Sequence, residues 1–243
     1  PLGAITSRRG SGCSTTLKLP PVPPRQRPSC RRTAVSIRSV LMQRPSSKGC
    51  TSSIFYTGNS SCTPLTLPPS LRWPGDHLEL LDQRRLPEEG SFLQLHQWRD
   101  VAEAIATMAV RGAPAIGVAA AWGVVLAAQA NEDLELAVSV LKSSRPTAVN
   151  LGWALDRMKA SPAAQDPVDP QGLAAVAAAL EADDRARTQT LVDHGVGLLA
   201  SGSRVLHHCH TGAIATAGVG TALGVIAAGH ARGVVRHAWL DET

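Results

Sequence analysis

The chain has 243 residues, of which 44% are hydrophobic and 3% aromatic, so a sizeable core would have to be built from Ala, Val, Leu and Ile. The net charge of +5 belongs to the N-terminal region, because residues 1–70 hold ten of the 24 Lys and Arg and none of the 19 Asp and Glu. The rest of the chain has 14 Lys and Arg and 19 Asp and Glu, so the basic balance of the whole chain says nothing about its partners. We expect no nucleic-acid partner, and no uninterrupted apolar run is long enough to predict a membrane span.

Residues 1–70 are rich in Ser, Thr, Pro and Arg and show no sustained hydrophobic periodicity. A segment of this composition buries too little apolar area to offset its conformational entropy, so we predict that it is disordered. Three interpretations are open: a transit peptide, a nucleic-acid-binding arm, or an artefact of the gene model, which the composition and the first residue, Pro1, favour. Four of the five cysteines lie here, so the rest of the chain has no disulfide framework, which favours a reducing compartment such as the cytoplasm.

Apolar patterning predicts ordered structure from Leu71 onwards. A short apolar run predicts a strand over residues 78–83. Helical periodicity, interrupted by Pro and Gly, predicts helices over residues 98–108, 114–129, 132–143, 147–160 and 173–200, the last with a break near Gly195. The remaining pattern predicts a strand over 205–208, a helix over 215–232 and a strand over 234–240.

These elements predict an α/β protein in which a mainly helical N-terminal domain, residues 71–202, precedes an incomplete α/β domain, residues 203–243. The last three elements form a βαβ unit, the start of an open parallel Rossmann-like sheet. Because parallel strands occur in larger sheets covered by helices on both faces, two strands cannot complete such a sheet. We therefore expect a truncated fragment with an exposed apolar surface on this unit.

Two arginines precede prolines at predicted helix starts: Arg111 stands before Gly112-Ala113-Pro114, and Arg145 stands directly before Pro146. Proline is favoured in the first helical turn, where its missing N–H leaves no hydrogen bond unmade. Free N–H groups at a helix N-terminus, together with a guanidinium, form a site for phosphate. The pattern predicts an anion site at each arginine; the alternative is that both are ordinary surface residues.

Cys209 follows the strand predicted over residues 205–208. Ligands of open α/β sheets bind beyond the carboxyl ends of strands, and nearby histidines with a helix N-terminus would activate the thiol. This position predicts a catalytic Cys209, with an inert buried cysteine as the alternative. Extended residues alternate faces, so His207 and Cys209 would point away from His208 and His210, and we expect no metal site.

A set of ordered sequence blocks covers the chain from Leu71 to Thr243: Leu80–Arg84, Met108–Gly117, Arg145–Leu151, His208–Ala213, Ala215–Gly218, Gly220–Ile226 and Asp241–Thr243. In this order they resemble the methylthioribose-1-phosphate isomerase family, which is related to the regulatory subunits of translation initiation factor 2B. No single block is specific to the family, but the set is.

The resemblance implies an aldose–ketose isomerase of methionine salvage that converts a sugar phosphate, S-methyl-5-thioribose 1-phosphate, into S-methyl-5-thioribulose 1-phosphate. It implies a homodimer that uses no metal or organic cofactor. It also implies that Arg111, Gly112, Ala113 and Arg145 bind substrate and that Cys209 supports the transition state. Two related functions stay open: a regulatory subunit like those of initiation factor 2B, and isomerisation of ribose 1,5-bisphosphate.

The chain departs from the family pattern at three points. His210 stands where the family usually has Asn, and the segment between Arg111 and Arg145 is shorter than usual. The family's acid/base aspartate and a substrate-binding glutamine follow the block matched by Asp241–Thr243. We therefore expect this chain to be inactive on its own.

Overall fold

The computed structural model describes residues 69–240. The strands of this part are β1 Leu71–Arg72, β2 Leu78–Leu81, β3 Phe92–Leu95, β4 Ser203–His207 and β5 Val235–Leu240. Its α-helices are α1 Trp98–Ala106, α2 Ala113–Gln129, α3 Leu134–Ser144, α4 Val149–Lys159, α5 Pro170–Gly197 and α6 Ala222–Ala231. Short 3-10 turns occupy Pro162–Ala164 and Ala213–Ala215. The mixed α/β class is as predicted, whereas the Rossmann-like sheet, its truncation and the three domain boundaries stay predictions.

An antiparallel sheet, in the order β1-β2-β3, opens the described part. Leu78 pairs with Leu95 and Leu81 with Phe92 in the β2–β3 register. The sequence analysis predicted β2 but missed its partners. β1 has two residues and β3 has four, of which only Leu95 is fully buried, so neither produces a clear alternating pattern.

Helix α2 is the centre of the core, in keeping with its almost wholly apolar composition. Every residue of α2 from Ala115 to Ala128 is buried, and the helix packs against α1, α3, α4 and α5. Its Trp122 stacks on Trp73 with ring centroids 4.3 Å apart and donates its indole N–H to Glu181 Oε2 at 3.1 Å. Small side chains on α2 let four helices approach it closely, which is how a core with few aromatics is filled.

Helix α5 is continuous from Pro170 to Gly197, so the predicted break near Gly195 is wrong. Asp169 begins the helix by accepting the Gln171 N–H at 3.1 Å. Gly195 instead makes room for α6, because a Cβ placed on it would lie 2.6 Å from Val225 Cγ2. The glycine therefore serves helix–helix packing.

The C-terminal βαβ unit contains the predicted parallel pair, β4 and β5, joined by α6. The predicted helix start at Ala215 is wrong, because α6 begins at Ala222. Gly220 has a φ of 86°, and the Thr216 hydroxyl accepts the N–H groups of Gly218 and Gly220 at 3.1 Å each. These bonds replace helical backbone bonds and keep the segment before α6 as an ordered loop.

The βαβ unit exposes apolar side chains, as expected. Leu206 on β4 is 73% exposed and Leu240 on β5 is 37% exposed. Leu206 also lines an open apolar groove together with Leu191 of α5 and Val225 of α6. None of the helices within residues 69–240 has the length and apolar character that spanning a membrane requires.

Candidate active site

Gly112 is the residue that precedes the first turn of α2, and its φ of 96° is rarely adopted by residues with a side chain. Ala113 is the first helical residue and Pro114 lies in the first turn, as predicted. Gly112 has no side chain that would cap the helix, so the first-turn N–H groups keep their capacity to bind an anion. Arg111 directly precedes this turn and is exposed.

The turn after β4 contains Cys209, which is exposed and has a φ of 87°. β4 ends at His207, so the expected alternation of faces does not extend to Cys209. The helix predicted to begin near this cysteine begins only at Ala222, and a 3-10 turn comes between. The thiol is exposed, so Cys209 is not the buried cysteine of the alternative interpretation, and its catalytic role stays a prediction.

Thr211 fixes the shape of the cysteine turn. Its hydroxyl lies 2.5 Å from His207 Nε2 and accepts the Leu223 N–H at 3.0 Å. Its carbonyl accepts the Thr221 N–H at 2.9 Å. One residue therefore joins the end of β4 to the first turn of α6, with Cys209 between His207 and Thr211.

The α2 start and the cysteine turn lie against each other. A Cβ placed on Gly112 would overlap the backbone and Cβ of Ala215. His210 is half-buried, and its Nε2 is buried without a hydrogen-bond partner. Burial lowers the pKa of His210, and the positive charge of Arg111 lowers it further. The structure thus brings Arg111 and Gly112 close to His210 and Ala215, which follow Cys209 in the chain.

Three side chains that the sequence analysis did not single out hold the loop between Cys209 and α6. Ser70 donates to the Thr216 carbonyl at 2.7 Å, and Gln83 Nε2 donates to the Ile214 carbonyl at 2.8 Å. On α5, Asp184 accepts the Ala217 N–H at 2.7 Å. Burial raises the pKa of Asp184. Membership of the Leu80–Arg84 block could have pointed to Gln83, whereas no sequence block contains Ser70 or Asp184.

Arg145 does not lie at a helix start, so that part of the prediction is wrong. It follows the last residue of α3, and its carbonyl accepts the Ala148 N–H at 3.0 Å in a turn with Pro146 in the second position. A cation is favourable at the negative end of α3, and α4 begins only at Val149. The structure shows no contact that brings Arg145 to Cys209.

The start of α4 nevertheless approaches the start of α2. A Cβ placed on Gly117 would lie 2.9 Å from the Asn150 carbonyl oxygen. Within residues 69–240, the guanidinium groups of Arg111 and Arg145 have no acidic partner, although most other arginines of this range do. Both groups therefore keep their charge available for an external anion.

A family model described as the Initiation factor 2 subunit family matches residues 109–243, more than half of the chain. The chain belongs to this family. The matched range includes the start of α2, Arg145 and the cysteine turn, all of which lie in the sequence blocks that carry the family resemblance.

Relatives of the chain carry the name methylthioribose-1-phosphate isomerase, as the resemblance predicted. The protein of that name from Parasynechococcus marenigrum (strain WH8102) is 96% identical over 179 residues, which are 74% of this chain and 53% of the relative. That from Alkalilimnicola ehrlichii is 48% identical over 184 residues, 72% of this chain and 53% of the relative. The chain thus spans about half the length of these relatives.

Two solved structures resemble the fold. The 5-methylthioribose 1-phosphate isomerase from Pyrococcus horikoshii OT3 is 34% identical with a TM-score of 0.65, over 73% of this chain and 53% of that structure. The translation initiation factor eIF-2B subunit delta from A. fulgidus is 33% identical with a TM-score of 0.61, over 72% of this chain and 54% of that structure. Enzyme and initiation factor therefore share this fold, and the function has to be argued from the site.

Proposed function

We propose that this chain supplies the phosphate-binding turn and the cysteine of an isomerase that converts S-methyl-5-thioribose 1-phosphate into S-methyl-5-thioribulose 1-phosphate. The observation that carries the proposal is the close approach of Gly112 to Ala215, because it brings the α2 start beside the Cys209 turn. The names of the relatives support the same reaction. The product would serve methionine salvage.

The phosphate would bind at the start of α2. First-turn N–H groups and the positive end of the helix favour an anion, and Arg111 adds a guanidinium with no competing carboxylate within residues 69–240. We assign Gly112 and Ala113 to this contact through their backbone. Arg145 is proposed as a second guanidinium, supported by the approach of the α4 start to α2 and by its own lack of an acidic partner in the described range.

The reaction is balanced within the substrate. The bond between C1 and the ring oxygen breaks, and this oxygen gains a proton. C2 loses hydrogen, C1 gains hydrogen, and the C2 hydroxyl loses its proton to become the ketone. Oxidation at C2 therefore matches reduction at C1, so the protein has to provide proton transfer and charge stabilisation and needs no external oxidant or cofactor.

Cys209 is the proposed catalytic residue of this half of the site. Its exposed position on a strained turn, next to the proposed phosphate site, allows it to face the reacting carbons of a bound sugar. His210 stands where the family usually has Asn. Because its pKa is lowered, its imidazole is neutral near pH 7, and an uncharged side chain is thus retained at this position.

A chimeric enzyme tests the proposal. The 179 matched residues of this chain would replace their counterparts in the Parasynechococcus relative, which supplies the remaining half. We expect ketose 1-phosphate formation from S-methyl-5-thioribose 1-phosphate at a rate close to that of the parent. A folded chimera without this activity would overturn the proposal. The unmodified chain assayed alone is the control, and we expect it to show no turnover.

Two related functions have specific support of their own. The family description and the similarity to eIF-2B subunit delta favour a regulatory subunit, and an anion site at Arg111 would also accept the phosphate of ribose 1,5-bisphosphate. Turnover of only one of the two sugar phosphates by the chimera distinguishes the enzymes. We further propose a cytoplasmic homodimer, supported by the cysteine usage and by the family resemblance.

A further inference from the structure

Two histidines of the N-terminal sheet form a cluster away from the proposed active site. Leu78 on β2 pairs with Leu95 on β3, and His77 and His96 are the residues that directly adjoin this last pair. Their rings stack with centroids 4.8 Å apart. Asp76 stands beside them, and its Oδ1 lies 2.7 Å from His77 Nδ1. The register of the sheet thus places two imidazoles and a carboxylate at one end of the β2–β3 pair.

We propose that Asp76, His77 and His96 bind a divalent transition-metal ion of the Zn²⁺ class. One ligand atom from each residue lies within 4.8 Å of the others. Within residues 69–240, no other group of three His, Cys, Asp or Glu side chains meets this condition. Two imidazoles with one carboxylate suit Zn²⁺ and its neighbours better than Mg²⁺ or Ca²⁺, which prefer oxygen ligands.

The site needs only a small rearrangement to reach metal geometry. Ligand atoms of a tetrahedral zinc site lie about 3.3 Å apart, given bonds of about 2.0 Å. Asp76 and His96 are exposed, so their side chains are free to rotate towards His77. The preceding Gly75 carbonyl accepts a hydrogen bond from Gln129 Nε2 of α2 at 3.2 Å, which holds the turn in place. A water would complete the coordination.

Glu79 is proposed as the positioning residue for His77. With the metal on Nδ1, His77 must keep its proton on Nε2, and this buried nitrogen has no hydrogen-bond partner at present. Glu79 Oε1 lies 3.9 Å from it, while the other oxygen of Glu79 pairs with Arg72 at 3.5 Å. A carboxylate that accepts the second ring N–H orients a metal-bound histidine. Metal binding at Nδ1 would replace its present hydrogen bond with Asp76 Oδ1.

Metal titration of the full 243-residue chain tests the site. Chelator-treated protein without an affinity tag would be titrated with Zn²⁺ against a chromophoric competitor, and bound equivalents counted. Other Cys and His residues of the chain could also bind Zn²⁺, and they are present in every variant. The result is therefore the difference in bound Zn²⁺ between wild type and each variant. We expect His77→Gln and His96→Gln each to lose one equivalent, or to weaken it about tenfold or more, and Glu79→Gln to weaken it less. His194→Gln, an exposed histidine of α5, is the matched control.

Unchanged stoichiometry and affinity in both His77→Gln and His96→Gln would overturn the proposal. A second measurement uses only the wild-type chain, in case a variant misfolds. Zn²⁺ should slow the modification of His77 and His96 by diethyl pyrocarbonate, read by peptide mass spectrometry, relative to His194. Equal modification with and without Zn²⁺ would equally overturn it. Both results are independent of isomerase activity.

Discussion

Gly112 and Ala215 lie in direct contact although more than one hundred residues separate them in the chain. This contact joins the start of α2 to the turn that follows Cys209, and it leaves no room for a side chain on Gly112. Its positive φ adds a second reason for glycine. One backbone contact therefore holds the proposed phosphate site beside the turn that contains Cys209.

Gly112→Ala should destabilise the chain and abolish activity in the chimera. The new Cβ would overlap Ala215, and the residue would also be strained at a φ of 96°. We expect a loss of roughly 2 kcal/mol or more in the free energy of unfolding, measured by urea denaturation. Gly202→Ala is the control, because Gly202 has a φ of 80° but open space around it, and about 1 kcal/mol is expected there. Equal losses in both variants would contradict the contact.

Arg111→Met should raise the pKa of His210. Arg111 lowers this pKa by charge repulsion, and methionine removes the charge while keeping an unbranched side chain. Burial, the larger cause, would still hold the pKa below its ordinary value of 6.5. The measurement is an NMR titration of the His210 ring protons. Arg145→Met is the matched control and should leave the titration unchanged; a similar rise there would show that net charge, and not proximity, is responsible.

Asp184→Asn should change how stability depends on pH. Burial raises the pKa of Asp184 above 3.8, so the folded chain keeps this proton to a higher pH than the unfolded chain. The associated stability is present below pH 3.8 and is lost as pH rises through the folded pKa. The variant lacks this loss. Its free energy of unfolding relative to wild type, measured by urea denaturation, should therefore increase as the pH rises from 3.8 through the folded pKa of Asp184. Curves that run parallel would contradict the raised pKa.

Cys209→Ser in the chimera should lower kcat with little change in KM. Serine keeps the size and the exposed position but is a far weaker acid than a thiol, so proton transfer would suffer while phosphate binding at α2 remains. We expect a decrease of about 100-fold or more in steady-state assays. Arg111→Met in the same chimera is the comparison variant. It should mainly raise KM, because it removes a phosphate-binding charge and leaves the thiol in place. A Cys209→Ser chimera with kcat within about twofold of the parent would exclude a catalytic thiol.

Much of the helical architecture was predictable because it follows from local composition. The apolar run after Pro114 predicted the central helix, and the short apolar segments on either side of α6 predicted a parallel pair. The loop before α6 was not predictable, because the Thr216 hydroxyl and the positive φ of Gly220 replace helical bonds within an Ala-rich segment. Long-range hydrogen bonds explain why the side chains that hold this loop were not predicted. Asp184 contacts Ala217 across the fold, and no local pattern encodes that bond.

The hydrogen bonds of Thr211 hold the loop around Cys209 in one conformation before any ligand binds. A loop tied at both ends has already lost most of its conformational entropy when the protein folds. Binding a sugar phosphate there would not have to order it again, so little of the interaction free energy would be consumed by loop closure. The thiol would thus be presented to each incoming molecule in the same orientation, set by a threonine that need not touch the sugar at all.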